Sequence, residues 1–127
     1  MQLKLATLLL VGLLFASGCA TTTFTEYRGP SIAQGSGGTV RTVDGIDFWE
    51  NGNPNRKFKI LGVIDDQRGD GRFSRSSRDK ALASMTKSKG GTEIILMGSR
   101  NRLTGMDKYG DAYYSVSTKV MVVKYEE

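Results

Sequence analysis

The last long segment of the chain, "AYYSVSTKVMVVKY" from Ala112 to Tyr125, alternates with a period of two. Tyr114, Val116, Thr118, Val120 and Val122 fall on one side, and Tyr113, Ser115, Ser117, Lys119, Met121 and Val123 on the other. Successive side chains of a strand point to opposite faces, whereas a helix would scatter the first set around its circumference. A strand's backbone N–H and C=O groups need partners, so this segment commits the fold to a sheet.

Other segments supply neighbours. Extended structure is predicted at Thr39–Val43, Ile46–Trp49, Arg56–Asp65 and Thr92–Arg100. In Arg56–Asp65, Phe58, Ile60 and Ile64 alternate with Lys57, Lys59, Leu61 and Val63. That pattern starts one-sided and ends apolar on both faces, as in a strand running into a sheet interior. Asn51-Gly52-Asn53-Pro54-Asn55 is a dense turn signal, and "NRLTGMDKYGD" (Asn101 to Asp111) reads as a mobile loop joining antiparallel neighbours. One helix is expected. Ser76 and Asp79 have capping-box spacing, Ala81, Leu82 and Met85 form an apolar stripe, and Gly90-Gly91 supply the stop. The fold class is α+β: a small, mostly antiparallel sheet with one helix packed on one face, in the order β-β-α-β-β.

The N-terminus has a different character. Lys4 precedes about eleven almost wholly apolar residues, Leu5 to Phe15, followed by the small residues Ala16, Ser17 and Gly18. This is the tripartite pattern of a signal peptide. It is too short for a spanning helix, which needs about 20 residues. The chain therefore divides into a leader at 1–18, a flexible Thr-, Ser- and Gly-rich tether at 19–38, and a single α+β domain at 39–127. Lys4 leaves with the leader, so 17 of the 18 basic side chains remain against 13 acidic ones. Beyond the cytoplasmic membrane a modest basic excess does not mean nucleic acid. The anionic partners there are phospholipid head groups, lipopolysaccharide phosphates and acidic proteins.

Ala16-Ser17-Gly18-Cys19 resembles the lipobox of bacterial lipoproteins. The resemblance implies cleavage between Gly18 and Cys19 and acylation of Cys19, the only cysteine in the chain. Ala16 departs from the pattern, which most often has leucine there. Two or three acyl chains would hold the protein on a membrane where one anchors only marginally. Ala20, not an aspartate, follows the cysteine, which in such lipoproteins implies an outer-membrane, periplasm-facing address. The order of strand, helix, "GGTEIIL", loop and final strand over Lys57 to Tyr125 is also similar to the small β-α-β-β domains of bacterial envelope lipoproteins. These include the outer-membrane sensor lipoprotein of the Rcs stress pathway and small domains described as heavy-metal-binding. The domain at 39–127 lacks the sensor's disulfide cysteines, and with neither cysteine nor histidine it lacks the ligands of a soft-metal site.

Few residues carry chemistry. There is no histidine, so a serine or cysteine nucleophile has no imidazole base; with no cysteine beyond Cys19 either, metal sites built on imidazole or thiolate are excluded. "DDQRGDG" (Asp65 to Gly71) resembles a calcium loop, but Arg68 and Ser77 stand where the EF-hand template needs acidic ligands. Arg68-Gly69-Asp70 is ordinary turn chemistry. No catalytic residue, metal ligand or cofactor is assigned. A carboxylate-dependent hydrolase acting on cell-wall or lipid material would draw on Asp44, Asp47, Asp65 and Asp66, and is the alternative reading. Phe48-Trp49 and Tyr113-Tyr114 suit core or sheet-edge packing before a sugar-stacking surface. The candidate contact for an anionic envelope component or protein partner is the run "QRGDGRFSRSSRDK", with Arg68, Arg72, Arg75, Arg78 and Lys80. The expected function is that of a non-catalytic interaction or sensor module, held on the membrane through Cys19.

Overall fold

The computed structural model describes residues 20–29 and 32–126. The expected leader, the expected cleavage position and Cys19 lie outside the described residues. Strands β1 (Thr21–Glu26), β2 (Ile32–Ala33), β3 (Gly37–Val43), β4 (Ile46–Asn53) and β5 (Phe58–Gly69) precede helix α1 (Ser74–Ser88); β6 (Glu93–Met106) and β7 (Ala112–Tyr125) follow it. The described residues form one seven-stranded sheet in the order β1-β5-β7-β6-β4-β3, with β2 also paired to β5. The α+β class holds. The expected β-β-α-β-β order does not, because five strands precede the helix. The sheet is also mixed: β4 and β6 run parallel through Asp47–Trp49 and Glu93–Ile95, while the other pairs are antiparallel.

Within the stretch expected as a tether, the described residues 20–29 and 32–38 are not structureless. Thr21–Glu26 pairs along the edge of β5, from Thr21 opposite Gln67 to Glu26 opposite Gly62. A run of threonines suits an extended, half-buried surface, and Phe24 adds its ring to the core. The sheet therefore starts at Thr21, well before Thr39.

The core has two parts because Val122 and Val123, adjacent in β7, point to opposite faces. Under α1, Val122 joins Ile46, Phe48, Ile64, Leu82, Ala83, Ile94 and Val120. On the other face, Val123 packs with Phe58 and Ile95, with Ile60, Trp49 and Met121 partly buried around them. A register shift in β5 between Ile60 and Gly62 moves the strand from one cluster to the other. Phe58 and Ile60 thus face away from the helix and Ile64 faces towards it, so the three do not share a face as their spacing suggests.

The helix begins earlier than the capping box places it. Phe73 occupies the N-cap position, no side chain caps the first turn, and Asp79 is nearly buried in ion pairs. The stop is as expected. Gly90 has φ +80°, its N–H reaches Lys87 O at 3.1 Å, and Gly91 N–H reaches Thr86 O at 2.9 Å, the paired bonds of a Schellman ending. The stretch Asn101–Asp111 is mostly strand, not loop: β6 and β7 stay paired to Met106 opposite Ala112. Its turn is closed by Asp107, whose Oδ1 accepts the N–H groups of Tyr109 at 2.8 Å and Asp111 at 2.9 Å.

Candidate functional site

Helix α1 touches β5 and β1 towards one edge of the sheet and β3 and β4 towards the other. Over the middle strands, β6 and β7, a cleft of about 460 Å³ remains open. Its apolar floor is made by Phe48, Leu82, Ile94, Leu96 and Val120. Leu96 is 41% exposed, an unusual state for a leucine in the middle of a sheet. Ser99 and Thr118, opposite each other on β6 and β7 with hydroxyls 3.2 Å apart, add polar groups at the floor's end.

The charged wall comes from α1, β3 and β4. Arg75, Arg78, Asp79 and Leu82 follow the i, i+3, i+4, i+7 spacing of one helical face, and all four line the cleft. Arg41 of β3 lies opposite Phe48 of β4, with its guanidinium 5.0 Å from the ring centroid. Arg41 donates to Asp79 Oδ2 through Nη1 at 2.9 Å and to Glu50 Oε1 through Nε. The Asp79 and Glu50 carboxylates raise the Arg41 pKa against the lowering effect of burial, so its charge is fixed. Arg78 Nη2 donates to Asp79 Oδ1 at 3.1 Å, while Arg75 stands 4.0 Å from Glu50 with its side chain 74% exposed. Three guanidinium groups thus meet two carboxylates, and Arg75 is the least engaged of the three.

The five basic residues expected as one contact are divided by the structure. Arg68 shares a face of β5 with Asp66, two residues earlier, and is bound by it: Nε to Oδ2 at 2.8 Å and Nη2 to Oδ1 at 2.7 Å. Thr22 Oγ1 donates to the same fully buried carboxylate at 2.8 Å. Arg68 is therefore a structural partner and not a free contact for an anion, because a buried carboxylate needs its charge answered. Arg75 and Arg78 reach the cleft. Arg72 and Lys80 line a separate, more open groove between the start of the helix and β3, with Arg75 and Asp44. Reasoning from sequence missed Arg41 and Glu50, which lie far from the basic run; Arg75 and Arg78 were named from that run, and the helical spacing of 75, 78, 79 and 82 is the signal that could have grouped them with Asp79 and Leu82.

The carboxylates of the hydrolase reading are not assembled. Asp65 and Asp66 are neighbours in β5 and point to opposite faces. Asp65 accepts a bond from Ser117 Oγ at 3.3 Å, and Asp47 accepts from Thr42 Oγ1 at 2.9 Å and from Tyr125 OH at 3.4 Å. Asp44 sits in the β3–β4 turn at φ 51°. Among the described residues no group of three acidic, histidine or cysteine side chains is placed to hold a metal ion. The aromatic pairs divide too: Phe48 is core, Trp49 Nε1–H donates to Glu93 Oε2 at 3.3 Å, and Tyr113 and Tyr114 point to opposite sides of β7. No single stacking surface forms from either pair.

Glu93, at the start of β6, is fully buried on the face away from the helix, and its Oε1 has no hydrogen-bond partner. Burial pushes its carboxyl above the usual range, only partly offset by the Tyr125 hydroxyl and the Trp49 N–H. It lines none of the clefts described here. Comparison with protein-family models, with curated proteins and with solved structures finds no match to this chain.

Proposed function

We propose that this chain is a lipid-anchored bacterial envelope protein that binds without catalysis, taking an acidic group carried on an apolar body into the cleft beneath α1. The observation that supports this reading is the placing of Arg75 and Arg78 over an open floor of Leu82, Ile94, Leu96 and Val120. A concave apolar surface with a few convergent charged groups is the usual form of a ligand site. Guanidinium groups match carboxylates and phosphates, with two parallel donors for two oxygens. A hydrolase built on Asp65 and Asp66 draws no support from carboxylates that face opposite sides of one strand.

The anchor is supported by Ala16-Ser17-Gly18-Cys19 at the end of the apolar leader. A fatty-acid analogue fed to cells should label the wild type and not Cys19→Ala; equal labelling of the two would remove the anchor. For the cleft, the chain from Ala20 should bind dodecyl phosphate below its micelle concentration, with affinity that falls as salt rises. Arg75→Glu should weaken this roughly tenfold, the scale of one charged hydrogen bond. Dodecyl maltoside, with the same tail and no charge, should bind less well. Equal affinity for the two amphiphiles, unchanged in Arg75→Glu, would rule out the cleft as an anion site.

A further inference from the structure

Strand register fixes where the N-terminal chain leaves the domain. Thr21 lies opposite Gln67, Gln67 opposite Ser117, and Ser117 opposite Arg100, so these four residues form one row across the sheet. Cys19 precedes Thr21 by two residues, a reach of about 7 Å at full extension. Beyond this row β5 ends at Gly69, which faces Ser115, while β6 and β7 continue as a two-stranded arm through Leu103–Met106 and Ala112–Tyr114. Three more paired positions carry the arm roughly 10 Å past its neighbours before the turn at Asp107–Asp111.

The chemistry of this end is unusual for a water-facing surface. Tyr109 at the tip is 78% exposed, Met106 64% and Leu103 56%, and Tyr113 stands beside them. Phe73, 72% exposed, belongs to the same end, because the helix starts just after β5 finishes there. Arg72, Arg100, Arg102 and Lys108 are interspersed and exposed, with the Lys108 ammonium 5.1 Å from the Tyr109 ring centroid. Tyrosines with flanking arginine and lysine suit the head-group layer, where rings settle among lipid carbonyls and cations meet lipid phosphates.

We propose that this end of the domain rests on the surface of the bilayer that holds Cys19, with the β6–β7 arm dipping into the head groups; the proposal rests on the lipid-anchored reading above. Charge alone does not choose between the ends, since Lys59, Lys89 and Lys124 surround a shallow pocket at the other. The chain's exit does choose. Lys124 lies seven residues along β7 from the row of Thr21, about 23 Å away, whereas the anchor starts at that row. A second acidic surface is not required, because the anchor already concentrates the arm at the membrane. Arg and Lys near an anionic leaflet add attraction of their own.

The test uses the full acylated chain reconstituted in vesicles of phosphatidylethanolamine and phosphatidylglycerol. With the Cys19 thiol consumed by acylation, a cysteine introduced as Tyr109→Cys, Tyr113→Cys or Lys124→Cys is the one free thiol, and carries an environment-sensitive fluorophore. Entry into the bilayer surface should blue-shift the labels at positions 109 and 113, and nitroxide-bearing lipids should quench them strongly, while the label at 124 keeps the emission it has in water and is little quenched. Floated protein whose labels at 109 and 113 are no more quenched than that at 124 overturns the orientation while keeping the anchor. Protein that shows two free thiols and does not float with the vesicles overturns the anchor, and this orientation with it.

Discussion

The ring of Phe24 in β1 lies against Gly62 of β5, so closely that a Cβ at position 62 would stand 2.4 Å from Phe24 Cζ and 2.4 Å from Thr25 O. Glycine is what lets the edge strand seat its one large apolar side chain over the helix-side core. Gly62→Ala should therefore cost about 1–3 kcal/mol, the range for overpacking a tight contact. The loss should be concentrated in β1. Hydrogen exchange at Thr22–Thr25 should accelerate more than at Val120–Val123, and equal protection in variant and wild type would show that Phe24 does not depend on the glycine.

That contact also explains why β1 was hard to read. Four threonines and one phenylalanine give no apolar period, and the strand's meaning lies in the Gly62 notch, 38 residues on from Phe24. Ala112–Tyr125 was legible to the residue, since Thr118, Val120 and Val122 face a continuous core on one side. The arm was hidden for the opposite reason: beyond Ser99 the side chains of β6 are almost all exposed on both faces, so nothing imposes alternation, and only the ladder to β7 holds the strand. The parallel contact of β4 with β6 leaves no local mark, because its partners are separated by β5 and α1. Asp79 misled the helix start: its position fits a cap, but Arg41 and Arg78 engage the carboxylate instead. Arg75 and Arg78 were legible as members of the basic run, but their gathering on one helical face with Asp79 and Leu82 was not drawn from it. Arg41 and Glu50 were not legible, since only tertiary pairing brings them there.

Asp79 connects the helix to the sheet edge. Its carboxylate is nearly buried between Arg41 and Arg78, and Asp79→Ala would leave two guanidinium groups without their shared acceptor. A loss of roughly 1–3 kcal/mol is expected, below the figure for a fully buried pair because Arg41 is one-third exposed. Adding Arg41→Met should recover part of it by removing one orphaned charge. Denaturant unfolding of the two single variants and the double variant measures this; strictly additive losses would mean that the pair is not coupled.

At the arm's tip, Asp107 Oδ1 holds two backbone N–H groups, and Gly110 takes the left-handed conformation at φ +84°. Asp107→Ala removes both acceptor bonds and should loosen the turn by about 1 kcal/mol. The arm lies outside both core clusters, so the melting temperature should stay almost unchanged while amides of Leu103–Tyr114 exchange faster. A drop in melting temperature as large as that of Asp79→Ala would show the arm to be part of the cooperative fold.

Glu93 gives the clearest pH dependence. Burial holds its carboxyl proton more tightly in the folded chain than in the unfolded one, where the ordinary value is 4.5. Above that pH the unfolded chain gives up the proton first and so binds fewer protons than the folded one. Stability therefore falls as pH rises through the window above 4.5, until the folded carboxyl has titrated as well. Glu93→Gln keeps the shape and an acceptor for the Trp49 N–H but carries no charge to bury. The variant should melt at a higher temperature than the wild type at pH 7, with the difference shrinking as pH falls towards 4.5. Comparing the two proteins at each pH cancels the other titrating groups. A variant less stable than the wild type at pH 7 would mean that the Glu93 carboxylate makes an interaction that outweighs its burial, reversing the sign argued here.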